Sequence, residues 1–292
     1  RVRRQRQMCI RDSMKECSES GRNALKEKRV ITSYLAGKNN GAVILSEDEG
    51  TSVLLNGEDH VRIQVLCNGM DIQSCFKKAN EIDDYIDAHF DYAFDEKYGY
   101  KTTFPTNTGT GMKAGYTLHL PSLSDARRLN DISAELGRFG LKFRTVYGDG
   151  QNGYGNLYQI STQKTLGQDE REVIKDLDDI VLQIVNQEKE QREHFYKKDK
   201  IQMDDEIYKS YGVLKYARKL SLKDSMVLIS ELMTGVSLGV LQFAHNGRYN
   251  INELIMDIQP AVLRQNSGKA MSVAETDVLR AEYIRKYLPE II

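Results

Sequence analysis

The sequence predicts an α+β fold, a largely antiparallel sheet flanked by helices, followed by a small C-terminal helical domain. Three observations carry this reading. Short apolar runs separated by acidic or glycine-rich turns fill much of the first half. Two windows, 72–94 and 168–198, repeat their apolar side chains near a 3.6-residue period. From Met203 to Ile292 nearly every residue is helix-compatible, with Gly235, Gly239, Gly247, Pro260 and Gly268 as punctuation. A chain of 292 residues with 40% hydrophobic and 28% charged content can bury one large domain and a smaller one.

The elements follow in order. Ala42-Val43-Ile44-Leu45 and Ser52-Val53-Leu54-Leu55 are compact apolar strands either side of an acidic turn, Glu47 to Gly50. Val61, Ile63 and Val65 alternate with Arg62 and Gln64, the pattern of a half-buried strand. Ile72 to Phe94 reads as a helix with Ile72, Phe76, Ala79, Ile82, Ile86 and Phe90 on one stripe. Met112 to Leu120 is a strand, Leu123 to Phe139 a helix stopped by Gly140, and Leu141 to Tyr147 and Leu157 to Gln163 two more strands. Gln168 to about Lys198 is a long amphipathic helix striped by Val173, Leu177, Val181 and Ile184. The domains are placed at 14–202 and 203–292. Residues 1–13 carry five arginines but no apolar run and no initiator Met; they are set aside as a non-native leader, and the chain is read as N-terminally truncated.

Composition removes several function classes. A formal charge of −1 argues against a dedicated nucleic-acid binder. No apolar run is long enough to span a bilayer as a helix. Cys9, Cys17, Cys67 and Cys75 form no CxxC pair and have no histidine at ligand spacing, so neither a disulfide frame nor a zinc or other metal site is expected, and a reducing cytosol fits best. Cys67 and Cys75 are expected as plain buried residues.

Chemistry-bearing residues gather on the strands. If the extended backbone of the Val61 strand runs back to Glu58, that carboxylate shares a face with Arg62, about 13 Å away. Lys113 and Arg144 project from the polar faces of two further strands. Were the three strands neighbours in one sheet, Arg62, Lys113 and Arg144 could converge on a polyphosphate; the same pattern suits the solvated face of an open sheet. Gly148-Asp149-Gly150-Gln151-Asn152-Gly153 matches GxGxxG, but a strand follows where a dinucleotide site needs a helix. This loop is either a mobile lid carrying Asp149 or an ordinary hairpin turn. The stretch Gly109 to Lys113 lacks the Lys-Ser/Thr arrangement of a Walker A loop.

Several segments together carry a family resemblance. Asn56-Gly57-Glu58-Asp59-His60-Val61-Arg62 resembles the NEEDHxR signature of the guanidino (phosphagen) kinases. Pro105-Thr106-Asn107-Thr108-Gly109-Thr110-Gly111-Met112-Lys113-Ala114 resembles their CPTNxGTGxRAS segment, and Arg144-Thr145-Val146-Tyr147-Gly148-Asp149-Gly150 the RGxYGEG of the bacterial protein-arginine kinases. Thr276-Asp277-Val278-Leu279-Arg280-Ala281 is similar to the RDxxRA element of that branch. The likeness runs from about Glu27 to the C-terminus.

The resemblance implies a guanidino kinase catalytic domain and a helical phosphoarginine-binding domain. It implies transfer of the ATP γ-phosphoryl group, with Mg²⁺, to arginine side chains of proteins. Glu58 and Asp149 take the places of the two carboxylates that orient and deprotonate the guanidinium. Arg62, Lys113, Ala114, Gly115, Tyr116, Thr117, Arg144, Thr145, Val146, Tyr147 and Gly148 stand at nucleotide-binding positions, and Asp277 and Arg280 at phosphoarginine-binding ones, where the alternative is a surface i,i+3 pair. A cytoplasmic homodimer acting in stress response and protein quality control, with an activator protein and a protease chaperone as partners, is implied by resemblance alone.

Four substitutions and one missing segment depart from the pattern. Gly57 replaces a Glu and is expected to loosen its turn, Phe104 replaces a Cys and removes an ionisable thiol, Lys113 replaces an Arg and loses the planar fork, and Asp149 replaces a Glu one methylene longer. The family's N-terminal phosphate-binding arginines are missing, so weak ATP binding and little or no turnover are expected. A catalytically silent phosphoarginine-binding scaffold is the alternative from another class; a small-molecule arginine or creatine kinase is disfavoured by the C-terminal helices.

Overall fold

A computed structural model describes residues 8–149, 152–167, 169–244 and 251–292, with the side chains of residues 8–12, 149 and 152 outside that description. The chain divides into two compact units, one of residues 1–115 and 161–179, the other of 116–160 and 180–292.

The first unit opens with β1 (Met8–Ser13), α1 (Glu19–Glu27) and α2 (Ser33–Ala36). Both helices begin on a hydroxyl cap: Ser18 Oγ accepts from Gly21 N and Thr32 Oγ1 from Leu35 N, each at 3.1 Å. β2 (Ala42–Ser46), β3 (Thr51–Leu55) and β4 (Val61–Val65) follow. All neighbouring strands pair antiparallel in the order β1-β2-β3-β4. Thr51 to Leu54 are buried at consecutive positions, as expected of a strand covered on both faces. Met14, Val30, Ile31, Leu35, Val43, Leu45 and Leu54 make the core of this unit.

Residues 8–13, set aside in the sequence reading, are part of this sheet as an edge strand on β2. Edge pairing needs only backbone N–H and C=O groups, which side-chain patterning does not reveal.

α3 (Ile72–Asp87) packs against β4 and is followed by a small hairpin, β5 (Phe94–Asp95) and β6 (Gly99–Tyr100). The helix ends seven residues before the expected Phe94. Asp83 explains why the chain turns back: its two carboxylate oxygens accept from Tyr92 Oη at 2.9 Å and Tyr100 Oη at 3.2 Å. Phe90, counted on the apolar stripe, is 70% exposed.

Next come β7 (Gly115–His119), α4 (Pro121–Asp125), α5 (Leu129–Arg138), β8 (Leu141–Thr145), the short hairpin β9 (Gly148–Asp149) and β10 (Asn152–Gly153), and β11 (Leu157–Thr162). β7, β11 and β8 form a separate three-stranded sheet in that order. The expected helix 123–139 is two helices, broken where Arg127 adopts φ 57°. The start of α4 is fixed by a buried carboxylate: Glu188 accepts from Ser122 N at 3.1 Å and Leu123 N at 2.9 Å, and pairs with Arg192 at 2.9 Å.

The helices are α6 (Glu170–Lys198), α7 (Lys200–Tyr216), α8 (Leu222–Ser237), α9 (Ile251–Asp257), α10 (Pro260–Ser267) and α11 (Val273–Tyr287). The expected boundary at 202/203 falls inside α7. Helical residues such as Ile207, Met226, Ile229, Leu254 and Ile284 share one core with Leu157 of β11. The helical segment and the smaller sheet are thus one packed body.

Candidate functional site

Glu58 sits at the tip of the β3–β4 hairpin rather than on a strand. Leu55 pairs with Val61, and the turn between them is closed by Asn56 N–H donating to His60 O at 2.9 Å. The left-handed residue is Asn56, at φ 55°, so the turn does not depend on Gly57. A Cβ at Gly57 would meet only Leu35 Cδ1, at 4.0 Å. The extended geometry that gave an acid and a guanidinium on one strand face therefore does not hold, because the chain reverses between residues 56 and 60.

Thr32, the cap of α2, donates its Oγ1 hydroxyl to Glu58 Oε2 at 3.0 Å. One hydroxyl thereby fixes both the helix start and the carboxylate. Lys38 Nζ donates to Gly57 O at 3.3 Å and lies 4.5 Å from the centre of the Tyr34 ring. Tyr34 in turn meets Phe104 edge-on at 5.9 Å. Phe104 thus closes an aromatic contact beside the Glu58 turn, a packing role for the residue that replaces the family thiol.

The neighbouring Asp59 binds the hairpin tip to the segment carrying Lys113. Its Oδ1 accepts from Thr103 N at 2.7 Å and Phe104 N at 3.3 Å, and its Oδ2 from Asn107 Nδ2 at 2.6 Å. Asn107 Oδ1 accepts from Lys113 Nζ at 2.5 Å. The segment is pinned again from Thr165, whose Oγ1 donates to Thr108 O at 2.6 Å and whose carbonyl accepts Thr110 N at 2.8 Å. Ala114 is held by Thr162, with Ala114 N–H donating to Thr162 Oγ1 at 3.0 Å. Glu58 and Lys113 therefore belong to one hydrogen-bonded assembly within the first unit. Arg62 extends, exposed, from β4 in the same unit.

In the second unit Arg144 is exposed on β8, and both its Nε, at 2.7 Å, and its Nη2 donate to Gln159 Oε1 on β11. Val146 N–H donates to Leu157 O at 2.9 Å, Tyr147 stacks on Tyr154 at 6.4 Å, and Gly148 begins β9. Tyr116 is buried, while Gly115 and Thr117 alternate with it as exposed residues of β7. Backbone pairing puts Asp149 opposite Asn152; its side chain lies outside the described residues, as does the Gly150-Gln151 turn. The condition that Arg62, Lys113 and Arg144 lie on neighbouring strands of one sheet is not met. Arg62 is on the β1–β4 sheet, Arg144 is on the β7-β11-β8 sheet, and Lys113 precedes β7. Alternation tells which residues share a face within a strand and is silent on which strands pair.

On α11 Asp277 and Arg280 do pair, but not as the surface i,i+3 pair of the alternative reading. Arg280 is 1% exposed, and its guanidinium donates to Ile258 O at 3.0 Å, Leu220 O at 2.9 Å and Asp277 Oδ1 at 2.6 Å. It ties three chain segments together and fixes Asp277, which stays half-buried. Thr276 is buried and its Oγ1 accepts from Arg264 Nε of α10 at 3.2 Å.

The cysteines also differ from expectation: Cys67 is exposed and Cys75 half-buried. Sequence reasoning missed Thr32, Asp59, Asn107 and Thr165 as site-shaping residues. Asp59 lay inside the quoted signature, and Thr32 carried the signal of a helix cap; their partners 26 to 48 residues away left no local trace.

Solved structures of guanidino phosphotransferases share this fold. The crystal structure of lombricine kinase matches with a TM-score of 0.52 at 20% identity, covering 61% of this chain and 53% of that one. The duplicated taurocyamine kinase from Schistosoma mansoni matches with a TM-score of 0.53 at 19% identity, covering 61% and 26%. So the chain spans about half the lombricine kinase chain and about a quarter of the duplicated enzyme. Residues 5–191 match the family model for the ATP:guanido phosphotransferase C-terminal catalytic domain, and residues 200–291 that for the protein-arginine kinase McsB C-terminal domain. The protein-arginine kinase of Bacillus pumilus is 40% identical over 275 residues, 94% of this chain and 75% of that protein. The Bacillus subtilis protein-arginine kinase is 39% identical over the same shares. This chain belongs to the ATP:guanido phosphotransferase family, in its protein-arginine kinase branch.

Proposed function

We propose that the chain transfers the γ-phosphoryl group of ATP to arginine side chains of proteins, with Glu58 as the base. The observation that carries the proposal is the Glu58 turn, tied through Asp59 and Asn107 to Lys113. It fixes a carboxylate and an ammonium group in one scaffold, the two kinds of group that guanidine phosphorylation needs.

An arginine guanidinium, with a pKa above ~12, is a poor nucleophile until a proton leaves it. Glu58 takes that proton as the nitrogen forms its bond to the γ-phosphorus and the bond to the ADP oxygen breaks. Asp149 is assigned as the second carboxylate on the family pattern. Lys113, Arg62 and Arg144 are assigned to the phosphate oxygens, where fixed positive charge offsets what the reaction gathers on the leaving group. Mg²⁺ would be supplied with the nucleotide, where it would offset phosphate charge; the described residues offer no cluster of three acidic, histidine or cysteine side chains for it.

Asp277 is assigned to the guanidinium end of phosphoarginine, with Arg280 as the positioning residue that holds it. The cytoplasmic setting, the role in stress response and quality control, the homodimer, and the activator and protease-chaperone partners rest on family membership alone. Among the described residues no helix is long and apolar enough to cross a membrane.

The test is prolonged incubation with Mg-ATP and an arginine-rich protein, followed by mass spectrometry under non-acidic conditions. Acid-labile phosphoarginine should accumulate and should be lost on Glu58→Gln. Equal product from the two proteins would remove Glu58 from the role of base, and phosphorylation of free arginine alone would remove the protein substrate.

A further inference from the structure

The end of α3 and the β5–β6 hairpin behind it turn an aromatic face to solvent. Tyr85, Phe90, Phe94 and Tyr98 are 68%, 70%, 56% and 50% exposed, a concentration of open rings that marks contact surfaces. The backbone beneath them is well held. Asp83 accepts from the hydroxyls of Tyr92 and Tyr100, Lys101 N–H donates to Ala93 O at 2.7 Å, and Phe94 meets Tyr100 edge-on at 5.3 Å. Tyr85 lies against His89 with ring centres 4.5 Å apart.

The charge around this face decides what it accepts. Between Lys78 and Lys97 the chain carries seven carboxylates and no lysine or arginine, in a protein whose net charge is only −1. Asp83 is engaged by the two tyrosines and Asp95 by Lys101 at 3.4 Å. The other five, Glu81, Asp84, Asp87, Asp91 and Glu96, are exposed and have no ion-pair partner among the described residues. On α3 Glu81, Asp84, Tyr85 and Asp87 are three or four residues apart, so carboxylates and ring share the outward side of the helix. A guanidinium suits both features at once, because its plane stacks on an aromatic ring while its edge donates to carboxylates. Lys97 already makes a contact of this kind, its Nζ lying 5.2 Å from the centre of the Tyr98 ring.

We propose that this face is a docking surface for arginine-rich polypeptide, separate from the Glu58 turn. Rings on α3 and the hairpin stack on guanidinium groups, and the five open carboxylates pair with them. The surface is continuous with the segment that carries Lys113: Tyr100 N–H donates to Gly109 O at 2.8 Å, and Gly109 N–H donates back to Tyr100 O at 3.3 Å. That the docked polypeptide is the one phosphorylated rests on the kinase reading; the docking itself does not.

The experiment reads binding and needs no turnover, so its outcome is independent of the Glu58→Gln test. A short fluorescein-labelled peptide of alternating arginine and glycine is titrated with the intact chain and followed by fluorescence anisotropy. Asp84→Asn with Asp87→Asn and Asp91→Asn should weaken binding about tenfold. The same neutralisation on exposed positions of α6, Glu172→Gln with Asp176→Asn and Asp179→Asn, should change it less than about twofold. Tyr85→Leu with Phe90→Leu keeps apolar bulk but removes two ring faces, and should weaken binding roughly fivefold. A lysine–glycine peptide of equal charge should bind several-fold more weakly than the arginine one. Every substituted residue is exposed, so melting temperatures should stay close to that of the parent chain. Equal losses from the α3 and α6 triple variants, unchanged binding by the Tyr85/Phe90 variant, or equal affinity for the lysine peptide would each overturn the proposal. So would a change from dimer to monomer in the variants by light scattering, which would assign the face to a second copy of the chain.

Discussion

Asp59→Asn tests whether the hairpin tip and the Lys113 segment form one assembly. Asp59 accepts three hydrogen bonds, two from backbone N–H groups and one from Asn107 Nδ2 at 2.6 Å. An amide at position 59 keeps one oxygen for Thr103 N and Phe104 N but turns an NH₂ toward the NH₂ of Asn107. Asn107 cannot escape by flipping, because its Oδ1 would leave Lys113 Nζ, now 2.5 Å away, and present a donor to a cation. A hydrogen bond to a charged group contributes about 1.5–3 kcal/mol. Asp59 is half-buried, so we take the lower part of that range, about 2 kcal/mol. For a chain of this size that lowers the melting temperature by roughly 4–8 °C. Loss of the fixed ammonium position should weaken nucleotide binding about tenfold, or about 1.4 kcal/mol. The decisive control is the double variant Asp59→Asn with Asn107→Asp. It reverses donor and acceptor, keeps the total charge, and returns an oxygen to Lys113. Melting by circular dichroism and calorimetric titration with Mg-ATP should show at least about 1 kcal/mol of recovery relative to additivity. A double variant as poor as the sum of the singles would refute the network.

Glu188→Ala leaves Arg192 buried without its partner and the N–H groups of Ser122 and Leu123 without an acceptor; urea denaturation should show a loss of about 3–5 kcal/mol, and a loss below about 1 kcal/mol would count against a structural carboxylate there. Gly109 adopts φ 115°, and a Cβ on it would lie 2.0 Å from Thr165 O, so Gly109→Ala should cost about 3 kcal/mol or more, read as a lower melting temperature with the glycine-rich segment displaced. His119 bonds through Nε2 to Ser230 Oγ at 2.8 Å, and burial pushes its pKa down to about 3, with the Arg192 charge adding to the effect. The folded state therefore favours the neutral ring: its contribution is complete above the unfolded value near 6.5 and falls as the pH drops toward the folded one. Because the unfolded ring is already half protonated at its own pKa, the loss between pH 6.5 and 5.5 should be about 1 kcal/mol, short of the ~1.4 kcal/mol per pH unit reached further down, and His119→Gln should flatten that slope in denaturation measured across the range.

How far the sequence discloses this protein depends on how local each determinant is. Strands β2, β3 and β4 were legible because apolar runs and alternation are written in consecutive residues. The end of α3 was not, since Asp83 is held by tyrosines 9 and 17 residues downstream. The start of α4 was hidden for the same reason, its anchor Glu188 lying 66 residues beyond Ser122.

The candidate site divides along the same line. Glu58 and Lys113 could be named from their segments, but what each touches could not. A hairpin turn decides where Glu58 points, and the cap of α2 decides what meets it. Arg280 shows the cost of reading a motif without its surroundings. The alternative to the family reading made it an exposed i,i+3 partner of Asp277, yet its guanidinium is engaged by two carbonyls from remote segments as well as by Asp277. A guanidinium so engaged stabilises the fold around a site more readily than it meets a ligand, because withdrawing it would leave those carbonyls and Asp277 unpaired inside the protein. Asp277 beside it remains half-buried, with the guanidinium of Arg264 anchored one residue away on Thr276.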